Sequence, residues 1–195
     1  MKTLKENMTL SRDACNFLLK TRSMTGANWD QYSGSSQSWE ACIGRTNDAK
    51  MCQPFKDHVD ICVYDRVRPE TKRLAKGKQM LGFLRTLGSL AVKNKCGNCG
   101  EFSAAAFMYL YDRNIRPLDW CGLKDADHAF VIIGRNAGDA SDYTSWGNTA
   151  AICDPWAQGF RKGDTASGSY AGTDFKTQMG GLLSFSGVDV MYRAD

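Results

Sequence analysis

The apolar period of this chain changes near residue 115, and that change limits the folds open to it. Upstream, Met80, Leu84, Leu87 and Ala91 recur at i, i+4, i+7 and i+11. This is the spacing of one helix face, so residues 71–93 are expected to form an amphipathic helix despite Gly77, Gly82 and Gly88, which suggest close packing. After a CGNC break, EFSAAAFMYLYD (101–112) is apolar nearly all round, as a buried central helix must be, and Asn114 supplies a stop. Downstream the runs become extended: AFVIIG (129–134) is continuous, TAAIC (149–153) is short, and SFSGVDVMY (184–192) alternates. Gly-, Asp- and Ser-rich segments separate them. Two helices followed by several strands read as an α+β fold, with helices packed on an antiparallel sheet.

Residues 1–70 are more mixed. A short helix is expected over Leu10–Thr21, started by Thr9 or Ser11, and another over Ser38–Gly44. Val59, Ile61 and Val63 alternate as in a strand that Pro69 ends. A length of 195 residues suits one domain with a subsidiary lobe. The expected division is an N-terminal helical and loop region, a cap or docking lobe, over 1–70 and a core over 71–195.

Composition narrows the function. With 43% hydrophobic and 24% charged residues, the chain belongs with folded globular proteins. Its 25 basic and 21 acidic residues leave a net charge of +4 that is scattered along the sequence, which speaks against a nucleic-acid partner. No window approaches the roughly 18 apolar residues of a membrane span, and charges interrupt the N-terminus. The expectation is a soluble protein without a membrane span or a Sec-type signal peptide.

Eight cysteines stand at 15, 42, 52, 62, 96, 99, 121 and 153, a count that suits either reduced core thiols or disulfides. Cys96 and Cys99 frame the CGNC turn, which admits three chemistries. A structural zinc site needs four ligands, but there is no second Cys-x-x-Cys pair and the chain has only two histidines. In zinc deaminases a His-x-Glu precedes the cysteines, whereas His128 follows them here. A thioredoxin-type redox pair follows a strand within a βαβ unit, and here a helix precedes it.

The nucleophile reading uses more of the sequence. Cys99 would head the central helix, where unpaired amides and the helix dipole favour a thiolate. Asp127-His128 opens the AFVIIG run and Asp154 closes the TAAIC run, so pairing of these strands would let Asp154 orient the His128 ring. The expected catalytic set is Cys99, His128 and Asp154, with no metal and no cofactor. In isolation the same residues have plainer roles. His128 would be a core or surface histidine, Cys96 structural, His58 exposed, Glu101 a favourable first-turn charge, and Trp120, Trp146 and Trp156 packing residues.

CGNCGEFSAAAFMYL, DHAFVIIGR and AICDPWA together resemble the Cys-His-Asp core of papain-like and transglutaminase-like cysteine enzymes, over about residues 80–160. That superfamily includes bacterial secreted effectors and toxins acting as proteases, deamidases or transglutaminases. The resemblance implies a central helix headed by the catalytic cysteine, packed on an antiparallel sheet. It implies a cysteine hydrolase or acyltransferase that acts on amide bonds of a protein substrate through a thioester. It further implies delivery into a target cell by a dedicated secretion system, with an immunity protein or chaperone as a further partner. One position departs from the papain pattern: the oxyanion-hole glutamine six residues before the nucleophile is Lys93 here. The oxyanion would then fall to the Cys99 backbone amide with Asn98, Asn94 or the Trp120 indole. The competing reading is a non-catalytic interaction module with a Cys-rich, zinc-binding core.

Overall fold

The computed structural model describes residues 2–26, 80–160, 168–180 and 183–195. The helix expected at 38–44, the strand at 59–63, the boundary at 70 and the first turns of the helix expected from 71 lie outside them.

Helix α1 (Leu4–Asn16) begins six residues before the expected start. Thr3 caps it, and the Thr3 backbone N–H donates to the Glu6 carboxylate at 2.7 Å. This is the T-x-x-E capping box, which satisfies otherwise unpaired first-turn amides. The helix passes into one π-helical turn, Phe17–Thr21, and then a two-residue strand β1 (Thr25–Gly26). Helix α1 buries Ala14 and Cys15 in the main core, as the turn that follows buries Leu18. Polar bonds fasten it to the sheet: Asn7 Nδ2 donates to the Thr149 carbonyl at 2.8 Å and the Ser11 hydroxyl to the Ile152 carbonyl at 2.7 Å.

Helix α2 (Met80–Asn94) and helix α3 (Cys99–Tyr111) form a packed pair joined through strand β2 (Cys96–Gly97), which runs parallel to β1. At Gly88 an added Cβ would stand 2.9 Å from the Ala105 Cα, so this glycine is what lets the two helices approach. Gly82 has open space around it and carries no such demand.

Five strands follow: β3 (Leu118–Lys124), β4 (Ala129–Ile133), β5 (Ala151–Cys153), β6 (Ser169–Ala171) and β7 (Gly187–Ala194). They form one antiparallel sheet in the order β6-β5-β4-β3-β7, with β4 and β5 aligned through Val131–Cys153 and Ile133–Ala151. Helix α4 (Pro155–Phe160) follows β5, and helix α5 (Phe175–Gly180) follows β6. The architecture is α+β, as the change of period predicts.

Both sheet faces are covered. Leu118, Trp120, Val131, Ile133 and Cys153 pack with the helices, whereas Cys121, Leu123, Phe130, Ile132 and Ile152 join Trp146, Tyr170 and Phe175 on the other side. That is why β4 reads as an unbroken apolar run: alternate residues enter different cores. Among the described residues, no helix is long and apolar enough to cross a membrane.

Candidate active site

The site is assembled where the N-terminus of α3 meets the end of the sheet. Asn98 is the N-cap of α3, and its backbone N–H donates to the Glu101 carboxylate at 2.8 Å. Gly97 is required there, because a Cβ would stand 2.5 Å from the Glu101 Cβ that folds back over it. The turn therefore sets Cys99 as the first helical residue. Cys99 Sγ lies 3.7 Å from the Asp127 carbonyl oxygen, beside the His128 residue whose charged form it favours.

His128 precedes β4 and Asp154 follows β5, so the antiparallel pairing of those strands brings the two side chains together. His128 Nε2 and Asp154 Oδ2 are 2.6 Å apart, with both side chains almost wholly withdrawn from water. With Nε2 engaged, Nδ1 is the ring nitrogen that remains for another partner. Trp156 meets the imidazole edge-on with centroids 5.3 Å apart, and Phe130 lies parallel to it at 6.2 Å. Burial works against a charged ring, but the Asp154 charge and hydrogen bond, followed by the contact with Cys99, outweigh it and raise the His128 pKa to about 10. The ring is thus an imidazolium at neutral pH.

Asp154 has a second task. Its Oδ1 accepts the Ala157 backbone N–H at 3.0 Å, and its own N–H donates to the Gly168 carbonyl at 2.7 Å. It is the N-cap of α4, with Pro155 in the first helical position, where the missing N–H costs nothing. The Asp-Pro pair in ICDPWA carries that signal, which the sequence reading did not use.

The three oxyanion candidates fare differently. The Trp120 indole N–H donates to the Ser103 hydroxyl at 2.8 Å, and that hydroxyl donates to the Gly100 carbonyl at 3.0 Å. Trp120 is therefore a buried brace between β3 and α3, with its only donor committed. The partner, Ser103, was not singled out from sequence. Asn98 Oδ1 is a buried acceptor at the start of α3, so an oxyanion could be met only by the Nδ2 end of its amide. Asn94 closes α2, and its side chain lies outside the described residues. The first-turn amides of α3, Cys99 among them, have no intrahelical acceptor and supply further donors.

No family model, curated protein or solved structure matches this chain. What the site can do has to be read from its own side chains. Among the described residues, no three His, Cys, Asp or Glu side chains converge as metal ligands would. A sulfur, an imidazolium and a buried carboxylate in series, at the start of a helix, form an arrangement suited to nucleophilic attack and proton transfer.

Proposed function

We propose that this chain is a cysteine hydrolase or acyltransferase acting on amide bonds of a protein substrate, built on a papain and transglutaminase-like core. Cys99 is the nucleophile, His128 the acid and base, and Asp154 the orienter. The observation that carries this reading is the buried 2.6 Å bond between His128 Nε2 and Asp154 Oδ2, at the strand end whose Asp127 carbonyl Cys99 Sγ approaches to 3.7 Å.

In this mechanism the thiol proton resides on His128, and the Cys99 thiolate attacks the amide carbon. The developing oxyanion is met by the Cys99 backbone amide and the Asn98 side chain. His128 then protonates the departing nitrogen, which leaves a thioester on Cys99. Water or an amine, deprotonated by His128, attacks the thioester and restores the thiol. Asp154 stabilises the imidazolium and fixes which ring nitrogen faces sulfur. Proteolysis, glutamine deamidation and transamidation all share these steps. Action on a protein of a target cell, as by a secreted effector, is supported by the sequence resemblance.

The test is alkylation of the native, reduced protein by limiting iodoacetamide between about pH 5 and 9, with each cysteine mapped by mass spectrometry. Cys99 is expected to be the cysteine alkylated first, and His128→Ala to suppress this. Cys99 reacting as an ordinary thiol, unaffected by His128→Ala, would overturn the reading. With a reactive Cys99 established, intact mass of a candidate protein substrate separates the reactions: about +1 Da for deamidation, a cross-link for transamidation, fragments for proteolysis.

A further inference from the structure

A second thiol site lies in the seam between α1 and the sheet. Cys15 and Cys153 are 138 residues apart in sequence, both fully buried, and their sulfurs stand 3.9 Å from each other. Around them the Ser11 and Ser169 hydroxyls are 2.6 Å apart, Cys15 Sγ lies 3.7 Å from the Gly168 carbonyl, and Cys153 Sγ lies 3.8 Å from the Ser11 carbonyl. Cys153 is the last residue of β5, immediately before Asp154. The proposed reaction uses none of these groups.

We infer that Cys15 and Cys153 are a redox couple, whose disulfide forms by exchange with a small-molecule disulfide such as oxidised glutathione and pins α1 to β5 beside Asp154. The inference stands independently of the proposed reaction. Closing the bond needs the sulfurs to approach from 3.9 Å to about 2.05 Å. The hydrogen bond with Cys15, followed by burial, pushes the Cys153 thiol well above its ordinary value, and both sulfurs are closed off from an oxidant in solution. Reaction begins when α1 lifts. The side chains that α1 itself buries fully are small or polar (Asn7, Ser11, Ala14, Cys15), which favours local opening of this seam.

The exchange balances. One cysteine thiolate attacks oxidised glutathione, the glutathione S–S bond breaks, and one glutathione thiolate leaves. The second cysteine then attacks the mixed disulfide, forming the Cys15–Cys153 bond and releasing the second glutathione. The protein loses two protons and two electrons, and the oxidant becomes two thiols.

The full chain, and the Cys99→Ala variant that removes the competing nucleophile, are incubated with excess oxidised glutathione. They are then acid-quenched, alkylated under denaturing conditions and mapped without reduction. The expected result is a cross-linked peptide pair joining Cys15 to Cys153, about 2 Da lighter than its reduced components. The melting temperature should rise by roughly 5 °C or more, reversibly with dithiothreitol, and the rise should be absent in Cys15→Ala. Alkylation of both cysteines after oxidation, or pairing of either mainly with another cysteine, would overturn the inference. Should Cys15→Ala fail to fold, the peptide map of the other two proteins still decides.

Discussion

The two faces of the sheet are equally apolar and differently used. Away from the helices, Phe130, Trp146 and Phe175 pack with centroids 5.1–5.3 Å apart, joined by Tyr143 and Phe185, and the Trp146 indole N–H is spent on the Ala140 carbonyl. Both cores bury a thiol and an indole, Cys121 and Trp146 on this side and Cys153 and Trp120 beneath the helices, so it is not polarity that separates them. The candidate site lies where α3 meets the sheet's end, because helix-start amides and strand-end side chains converge there. His128 stands between the two worlds, flanked by Phe130 from one core and Trp156 from the other. Burial alone does not mark a site; a helix start facing a strand end does.

That contrast can be broken by experiment. The largest effect is expected for Cys99→Ala, which should lower turnover on the order of 10³-fold or more while leaving the melting temperature nearly unchanged. Phe175→Ala, on the aromatic face, should cost about 3–5 kcal/mol in urea unfolding. It should leave the Cys99 alkylation rate per folded molecule intact, and a parallel fall in that rate would mean the faces are not separable. The next test is pH. A folded His128 pKa of about 10 against 6.5 for the free side chain means its stabilisation is complete below about pH 6.5 and lost as pH rises toward 10. Urea midpoints at pH 6, 8 and 10 should show a loss on the order of a few kcal/mol, and Asp154→Asn should flatten that profile. Ser103→Ala leaves the buried Trp120 N–H without its acceptor and should cost about 1–2 kcal/mol. Arg85→Ala, which breaks a half-exposed pair with Asp112, should change stability by less than about 1 kcal/mol.

Local signals were legible in the sequence and long-range ones were not. Helix α3 shows because Ala and large apolar residues cover it all round, and β4 shows because it is β-branched on both faces. Strand β3 hides because Asp119 and Gly122 interrupt LDWCGLK. Asp119 is fully buried yet held by Arg135 at 2.6 Å and Arg193 at 2.9 Å, partners 16 and 74 residues away. The early start of α1 was legible in Thr3 and Glu6 and went unread. Of the candidate site, the order Cys99, His128, Asp154 was visible; the approach of His128 to Asp154 required only that β4 and β5 pair, whereas the place of Cys99 depends on how α3 lies against the sheet. The commitment of Trp120 to Ser103 was not visible, since it depends on how β3 lies across α3.

Asp154 answers to two masters, and this narrows what evolution or a designer can place there. One oxygen holds the start of α4 and the other holds His128, so the position needs two acceptors on a short side chain. Serine or threonine would cap the helix and lose the imidazole, whereas glutamate would overshoot both. Asparagine keeps the shape but turns an acceptor into a donor at His128. Drift at this residue is therefore confined to nearly one letter, for architectural as much as chemical reasons.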